Sequence, residues 1–243
     1  MKIGIQVSSL KPVLKTPAQV RDAFARMAGL GCPCAQVQWI DPSVPIVDIA
    51  AAMEEFGVES LGIQDYYVLV MADLEYYVNL NTATGGRWLT VSRIPEECKS
   101  REGLDVYADA LTALQEKLTP LGQKVCFHPV TPDYQAVPGI NAVEYLMEKL
   151  PWMDLCLDLF HLDKNCQDMP AFIRRYAGRI PMVHFKDHRD GTLVPAGRGQ
   201  VNWNGVVDAC REAGVGYGLV EQETWEGDPW DCLGQAVAWL REQ

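Results

Sequence analysis

The stretch MDLCLDLFHLD, Met153–Asp163, sets Asp158 and His161 three residues apart just where an apolar run ends. Such a run, followed by polar residues and an amphipathic helix, reads as an internal parallel strand. A carboxylate and an imidazole at its C-terminal tip then stand where parallel α/β folds put their chemistry. The chain has only four histidines, His128, His161, His184 and His188, and each falls at or just past the end of an apolar strand pattern. Random placement would not often do this. Glu221 holds the matching place in GLVEQE, where an apolar strand runs into Glu-Gln-Glu. His128, Asp158, His184 and Glu221 are separated by 30, 26 and 37 residues, one strand–helix unit each time. Four successive strands would each aim one ligand-type side chain at the same end of a barrel.

Two imidazoles with two carboxylates suit a divalent first-row metal better than the all-oxygen shells that Mg²⁺ prefers. Mn²⁺ is the first choice, with Co²⁺, Fe²⁺, Zn²⁺ and Mg²⁺ as the other options. A metal chelated by adjacent oxygens of a keto sugar polarises the carbonyl, acidifies the neighbouring C–H and holds the resulting enediolate. A carboxylate or imidazole within hydrogen-bond reach takes the proton. Its return to the other carbon or face gives isomerisation or epimerisation, whereas loss of a β-substituent gives elimination. Glu221 is read as both ligand and base. Lys186 is a candidate to neutralise the enediolate, with an ion pair to Asp187 as the alternative; Asp187 and His188 are candidates to support the ligands from behind. Trp88, Tyr66, Trp203 and Trp225 are candidates to stack on a sugar ring, or else to pack as core or lid.

These residues need a scaffold, and the hydrophobic periodicity supplies one. Strand patterns at Lys2–Val7, Ala35–Ile40, Glu59–Gln64, Gly86–Ser92, Lys124–His128, Met153–Asp158, Pro181–Phe185 and Gly216–Glu221 alternate with helical ones. The helices are expected at Pro17–Ala28, Val47–Phe56, Ala72–Leu80, Gly103–Leu118, Asn141–Lys149, Met169–Tyr176, Asn204–Ala213 and Trp230–Arg241. Eight such units, about thirty residues each, predict an α/β fold closed into a single (β/α)8 TIM barrel over residues 1–243.

With 243 residues, 48% of them hydrophobic, the chain can bury one sizeable core. Lysine and arginine number 21 against 32 acidic residues, a net charge of −11, and no basic cluster rises above that background. Nucleic acid and membrane are therefore not expected partners. No apolar run reaches the roughly 18 to 20 residues of a membrane span, and a cytoplasmic protein is expected. Among eight scattered cysteines only Cys32 and Cys34 are close, without a second pair at zinc-finger spacing. No nucleotide-binding fingerprint is present, and Gly197-Arg198-Gly199 is too short for one.

The segments KVCFHPVTPDY, LCLDLFH, MVHFKD, AGRGQVNW and LVEQE resemble the xylose isomerase-like barrels, the sugar phosphate isomerases/epimerases with tagatose 3-epimerase-like and inosose dehydratase-like members. The resemblance is close from Lys124 to Gln243. It implies that Asp158, His184 and Glu221 ligate a divalent metal, that His161 hydrogen-bonds a substrate hydroxyl or carbonyl, and that Arg198 reaches the substrate from its glycine loop. Two departures stand out. His128 occupies the place where epimerase members carry a glutamate that serves as ligand and as half of an acid/base pair. Val130 replaces the second histidine of the Tyr-His-Asn-His-type run of the dehydratases. Glu221, His161 and Asp133 are left as the groups to move protons.

The leading expectation is a metal-dependent isomerase or epimerase of a sugar or polyol ketone. A lyase using the same centre, such as an inosose-type dehydratase or a 3-oxo-glycoside β-eliminase, is the second reading, favoured by His128. A non-catalytic sugar-binding barrel subunit is the third. The loops between the second and fourth strands are thin, so a homo-oligomer or partner subunit would have room to complete the pocket.

Overall fold

A computed structural model describes residues 1–166 and 168–243. Among the described residues there are ten strands: β1 (Lys2–Gln6), β2 (Cys34–Val37), β3 (Glu59–Tyr66), β4 (Trp88–Ser92), β5 (Lys124–His128), β6 (Asp154–Asp158), β7 (Met182–Phe185), β8 (Asp187–Arg189), β9 (Thr192–Val194) and β10 (Tyr217–Val220). Eight of them close a parallel barrel in the order β1-β10-β7-β6-β5-β4-β3-β2. The expected (β/α)8 architecture is the one found. The addition is β8–β9, a small antiparallel hairpin after the seventh barrel strand.

The helices form where capping and spacing agree. Thr16 accepts from Gln19 N, Pro17 opens Pro17–Gly29, and the buried Val20, Ala23, Phe24 and Met27 recur every three or four residues. Ser100 caps Arg101–Leu118, whose Leu104, Leu111, Leu114 and Leu118 lie against the barrel wall. The expected helix at Ala72–Leu80 is instead two, Tyr67–Ala72 and Leu74–Ala83, broken at Asp73, whose side chain caps the second. Strand β3 runs on to Tyr66, beyond the expected Gln64, and the first of these helices starts directly at Tyr67. Strand β2 stops at Val37, earlier than expected, because Trp39 turns the chain with a φ of 58°.

Inside the barrel the period of two sets the layers, since residues two apart on a strand share a face. Cys34, Trp88, Cys126, Cys156, Met182 and Leu219 form an apolar plug near the strand starts, separate from the main core. Two residues further along come Gln36, Thr90, His128, Asp158, His184 and Glu221, all buried. All eight cysteines are free thiols. Burial pushes Cys32 up to about 11 and Cys34 up to about 12, so this close pair behaves as small apolar groups.

Candidate metal and sugar site

His128, Asp158, His184 and Glu221 are brought together at the C-terminal end of the barrel, each offering one ligand atom, all within 4.8 Å of one another. Donors on opposite sides of a cation at about 2.1 Å would be about 4.2 Å apart, so the cluster is close to coordinating dimensions. The backbone register accounts for it: His128 pairs with Ser92 across β4–β5, and Asp158 pairs with His184 across β6–β7.

The donor set fits a divalent cation on its own chemistry. Asp158 uses Oδ1 to cap the helix Leu159–Asp163 through Phe160 N and His161 N, while its Oδ2 is buried without a hydrogen bond. Glu221 receives the Ser8 hydroxyl on Oε1 at 3.0 Å. Its Oε2 lies 2.9 Å from His184 Nδ1 yet makes no hydrogen bond. Two buried carboxylate oxygens facing one point without donors are an unstable arrangement unless something positive sits between them. His184 Nε2 is 2.8 Å from Gln36 Oε1, a carbonyl that can only accept, so the ring proton belongs on Nε2 and the Nδ1 lone pair faces the cluster. Gln36 is itself fixed by Gln6 and Thr90. His128 Nε2 lies 3.2 Å from that same Nδ1.

Protonation states agree with this. Burial pulls the His128 imidazole well below its ordinary range, with His184 adding to the effect, so the ring is neutral. Burial alone would raise the Glu221 carboxyl, but the positive charge of Lys186 opposes it and the carboxyl lies well below the usual range. Neutral imidazoles and ionised carboxylates are the ligating forms.

A cavity of about 310 Å³ opens over the cluster and is lined by His128, Asp158, His161, Lys186, Glu221 and Glu223, with Trp39, Tyr66 and Arg93 on the other side. His161 Nδ1 accepts from Thr131 N at 3.2 Å, so its neutral ring carries the proton on Nε2, 3.7 Å from Asp158 Oδ2. Burial lowers its pKa and Asp158 partly opposes that. Lys186 does not pair with Asp187. Its ammonium is 2.6 Å from Glu223 Oε1 and 4.0 Å from Asp158 Oδ2. Burial would weaken its charge, but Glu221, Asp158 and Glu223 raise its pKa above the ordinary value. Glu223 was not singled out in the sequence. Burial and the neighbouring charge of Glu221 push it up to about 7 against the pull of Lys186, and its Oε2 is buried without a partner.

Three expected site residues lie elsewhere. Trp88 is the first residue of β4, at the opposite end of the barrel, where its indole donates to Asp154 Oδ2 at 2.8 Å beside Lys124. Asp133 accepts from Ile94 N on Oδ1 and from Val130 N on Oδ2, so both oxygens brace backbone outside the cavity lining. Arg198 has an exposed side chain and does not line the cavity. Its loop is instead tied down by Asp187, which accepts from Gly197 N, Gly199 N, Val201 N and Trp203 Nε1 at 3.0–3.1 Å. A Cβ on Gly199 would meet Asp187 Oδ1 at 2.1 Å, which is why glycine stands there. Trp203 packs on Phe185 and Trp239, away from the cavity. His188 is buried against Phe160.

Residues 49–243 match the xylose isomerase-like TIM barrel family. The chain belongs to that family. Among solved structures it is similar to a sugar phosphate isomerase/epimerase from Parabacteroides distasonis ATCC 8503, with 14% identity, a TM-score of 0.79 and coverage of 98% of this chain and 92% of that one. A 3-keto-D-glucoside 4-epimerase from E. coli superposes with a TM-score of 0.75 at 17% identity, covering 100% of both chains. A D-allulose 3-epimerase from Methylomonas sp. in complex with D-allulose gives 0.78 at 16% identity over 100% of this chain and 96% of that one. No curated protein sequence matches the chain. These likenesses establish the xylose isomerase-like fold, and no described helix is long and apolar enough to cross a membrane.

Proposed function

We propose that this family member is a divalent-metal-dependent isomerase or epimerase of a sugar or polyol ketone. The observation that carries the reading is the buried His128–Asp158–His184–Glu221 cluster with two donor-less carboxylate oxygens at the floor of a sugar-sized cavity. Those four residues hold the cation, with Mn²⁺ the first choice on donor chemistry. When bound, it supplies Lewis acidity to a substrate carbonyl and its neighbouring hydroxyl.

The chain's own groups do the rest. His161 presents Nε2–H, a donor suited to a substrate oxygen as negative charge develops on it. Lys186 adds a positive charge fixed by Glu223. Proton transfer between carbons or faces needs basic groups at the cavity wall. Glu221 is one. The glutamate that epimerase members carry on the fifth strand is His128 here, and Glu223, with Oε2 free in the same cavity, restores a second carboxylate. Asp133, whose oxygens both serve backbone, gives up that role.

The replacement of that glutamate by His128 also favours a second reading, β-elimination, which needs a base at the α-carbon and an acid at the leaving group rather than a base on each face of one carbon. Incubation of the Mn²⁺-loaded protein with keto sugars in D2O tests both. Deuterium incorporated next to the carbonyl with recovery of an epimer or isomer supports the leading reading. Exchange with loss of water or of an alcohol supports elimination. Absence of exchange across a panel of ketoses and keto-glycosides, with stoichiometric metal bound, contradicts both and leaves the sugar-binding subunit.

A further inference from the structure

Opposite the metal-type cluster, Trp39 two residues past β2, Tyr66 at the end of β3 and Arg93 just past β4 line the same cavity. Two of the three have left-handed backbone, Trp39 with a φ of 58° and Arg93 with 64°. A bulky side chain is disfavoured there, and such strain persists where the placement of the side chain matters. The Arg93 guanidinium lies over the Tyr66 ring, 4.3 Å from its centroid, and Tyr66 meets Trp39 edge-on at 6.1 Å. Asp65 anchors this wall, accepting from Tyr66 N at 2.8 Å, Tyr77 Oη at 2.7 Å and Trp39 Nε1 at 3.3 Å.

Stacking occupies the face of a guanidinium and leaves its in-plane N–H donors free. Among the described residues no carboxylate pairs with Arg93. The nearby Asp133 is buried and committed to Ile94 N and Val130 N. In a chain of net charge −11, this is a pre-positioned cation with a bidentate donor edge at the mouth of a sugar-sized cavity. We propose that Arg93, stacked on Tyr66, binds an acidic substituent of the substrate, a carboxylate or a phosphate at the end of the sugar remote from the reacting ketone. The proposal rests on the ketone-sugar reading above and narrows it to acidic sugars.

Fructose, fructuronate and fructose 6-phosphate share one hydroxymethyl-ketone end and differ only at the far carbon, as a hydroxyl, a carboxylate and a phosphate. Calorimetric titration of each into the Mn²⁺-loaded wild type and into Arg93→Gln isolates the far-end contact, because the ring forms of the free sugars are the same in both titrations. The expected result is at least tenfold tighter binding of fructuronate or fructose 6-phosphate than of fructose, with the preferred acid identifying the group. In Arg93→Gln that preference should fall to within about twofold, and Arg93→Lys should recover part of it. Equal affinities in the wild type, no binding of any of the three, or a preference that survives Arg93→Gln overturns the proposal. Mn²⁺ stoichiometry, measured on the same samples, separates this failure from that of the metal reading. An acid site that is wrong leaves one Mn²⁺ per chain, whereas a metal reading that is wrong leaves none.

Discussion

At the residue scale the site is a set of lone pairs held in place by groups that do not themselves react. Gln36 sets the His184 tautomer, Ser8 holds one oxygen of Glu221, and Thr131 holds Nδ1 of His161. Glu223→Gln should therefore retain metal and lose turnover by about 10² to 10⁴-fold, if it is the second proton carrier, as assays of metal content and of rate on one preparation would show. Loss of metal in that variant would instead make it a support for the cluster. Glu221→Gln should lose turnover by a similar factor that saturating Mn²⁺ does not restore, because an amide has no useful basicity near neutral pH. Asp133 gives a prediction of different sign. Burial raises its carboxyl from the ordinary 3.8 to about 6. A carboxyl raised on folding contributes stability that is complete below its unfolded pKa and is lost as pH rises through its folded one. The stability gap between wild type and Asp133→Asn, from urea unfolding, should be wider at pH 5 than at pH 8.

At the element scale the barrel turns sequence periodicity into convergence. The spacing of 30, 26 and 37 residues was visible in the chain because each strand tip bears its residue two positions beyond a small or apolar one, as in Cys126–His128 and Cys156–Asp158. What the pattern does not show is contact between distant segments. Glu223 became a site residue only because β10 ends beside Lys186, and Gln36 because β2 lies across the barrel from β7. Trp88 was misplaced because aromatic character says nothing about which end of a strand a residue occupies. Asp187 was a candidate support behind the ligands, with an ion pair to Lys186 as the alternative, yet the loop of Gly197–Trp203 folds back to give it four donors, which no local pattern announces. Asp187→Ala would leave the buried Val201 N–H and three part-buried donors without their acceptor, at about 1–3 kcal/mol for a fully buried one and less for the others. It should lower unfolding free energy by about 3 kcal/mol or more and expose the loop to limited proteolysis. An unchanged urea midpoint would contradict that account.

At the scale of the whole molecule, stability and site are arranged in series. The helices cover a continuous core around the barrel, the interior has its own apolar plug, and the buried charges sit in a layer above it. The plug and the helix packing do not depend on the cluster, so variants at the strand tips should fold. A cation that binds the folded barrel alone stabilises it by mass action, about 2.7 kcal/mol at a hundredfold excess over Kd. Mn²⁺ should raise the melting temperature of the wild type, and His184→Ala and Asp158→Ala should lose most of that rise while retaining a cooperative transition. Anomalous diffraction at the manganese edge, from crystals soaked in Mn²⁺, shows directly whether the four residues hold a cation. One strong peak is expected among His128 Nε2, Asp158 Oδ2, His184 Nδ1 and Glu221 Oε2, absent in His184→Ala. No peak there, or an equal peak in the variant, would contradict the metal assignment.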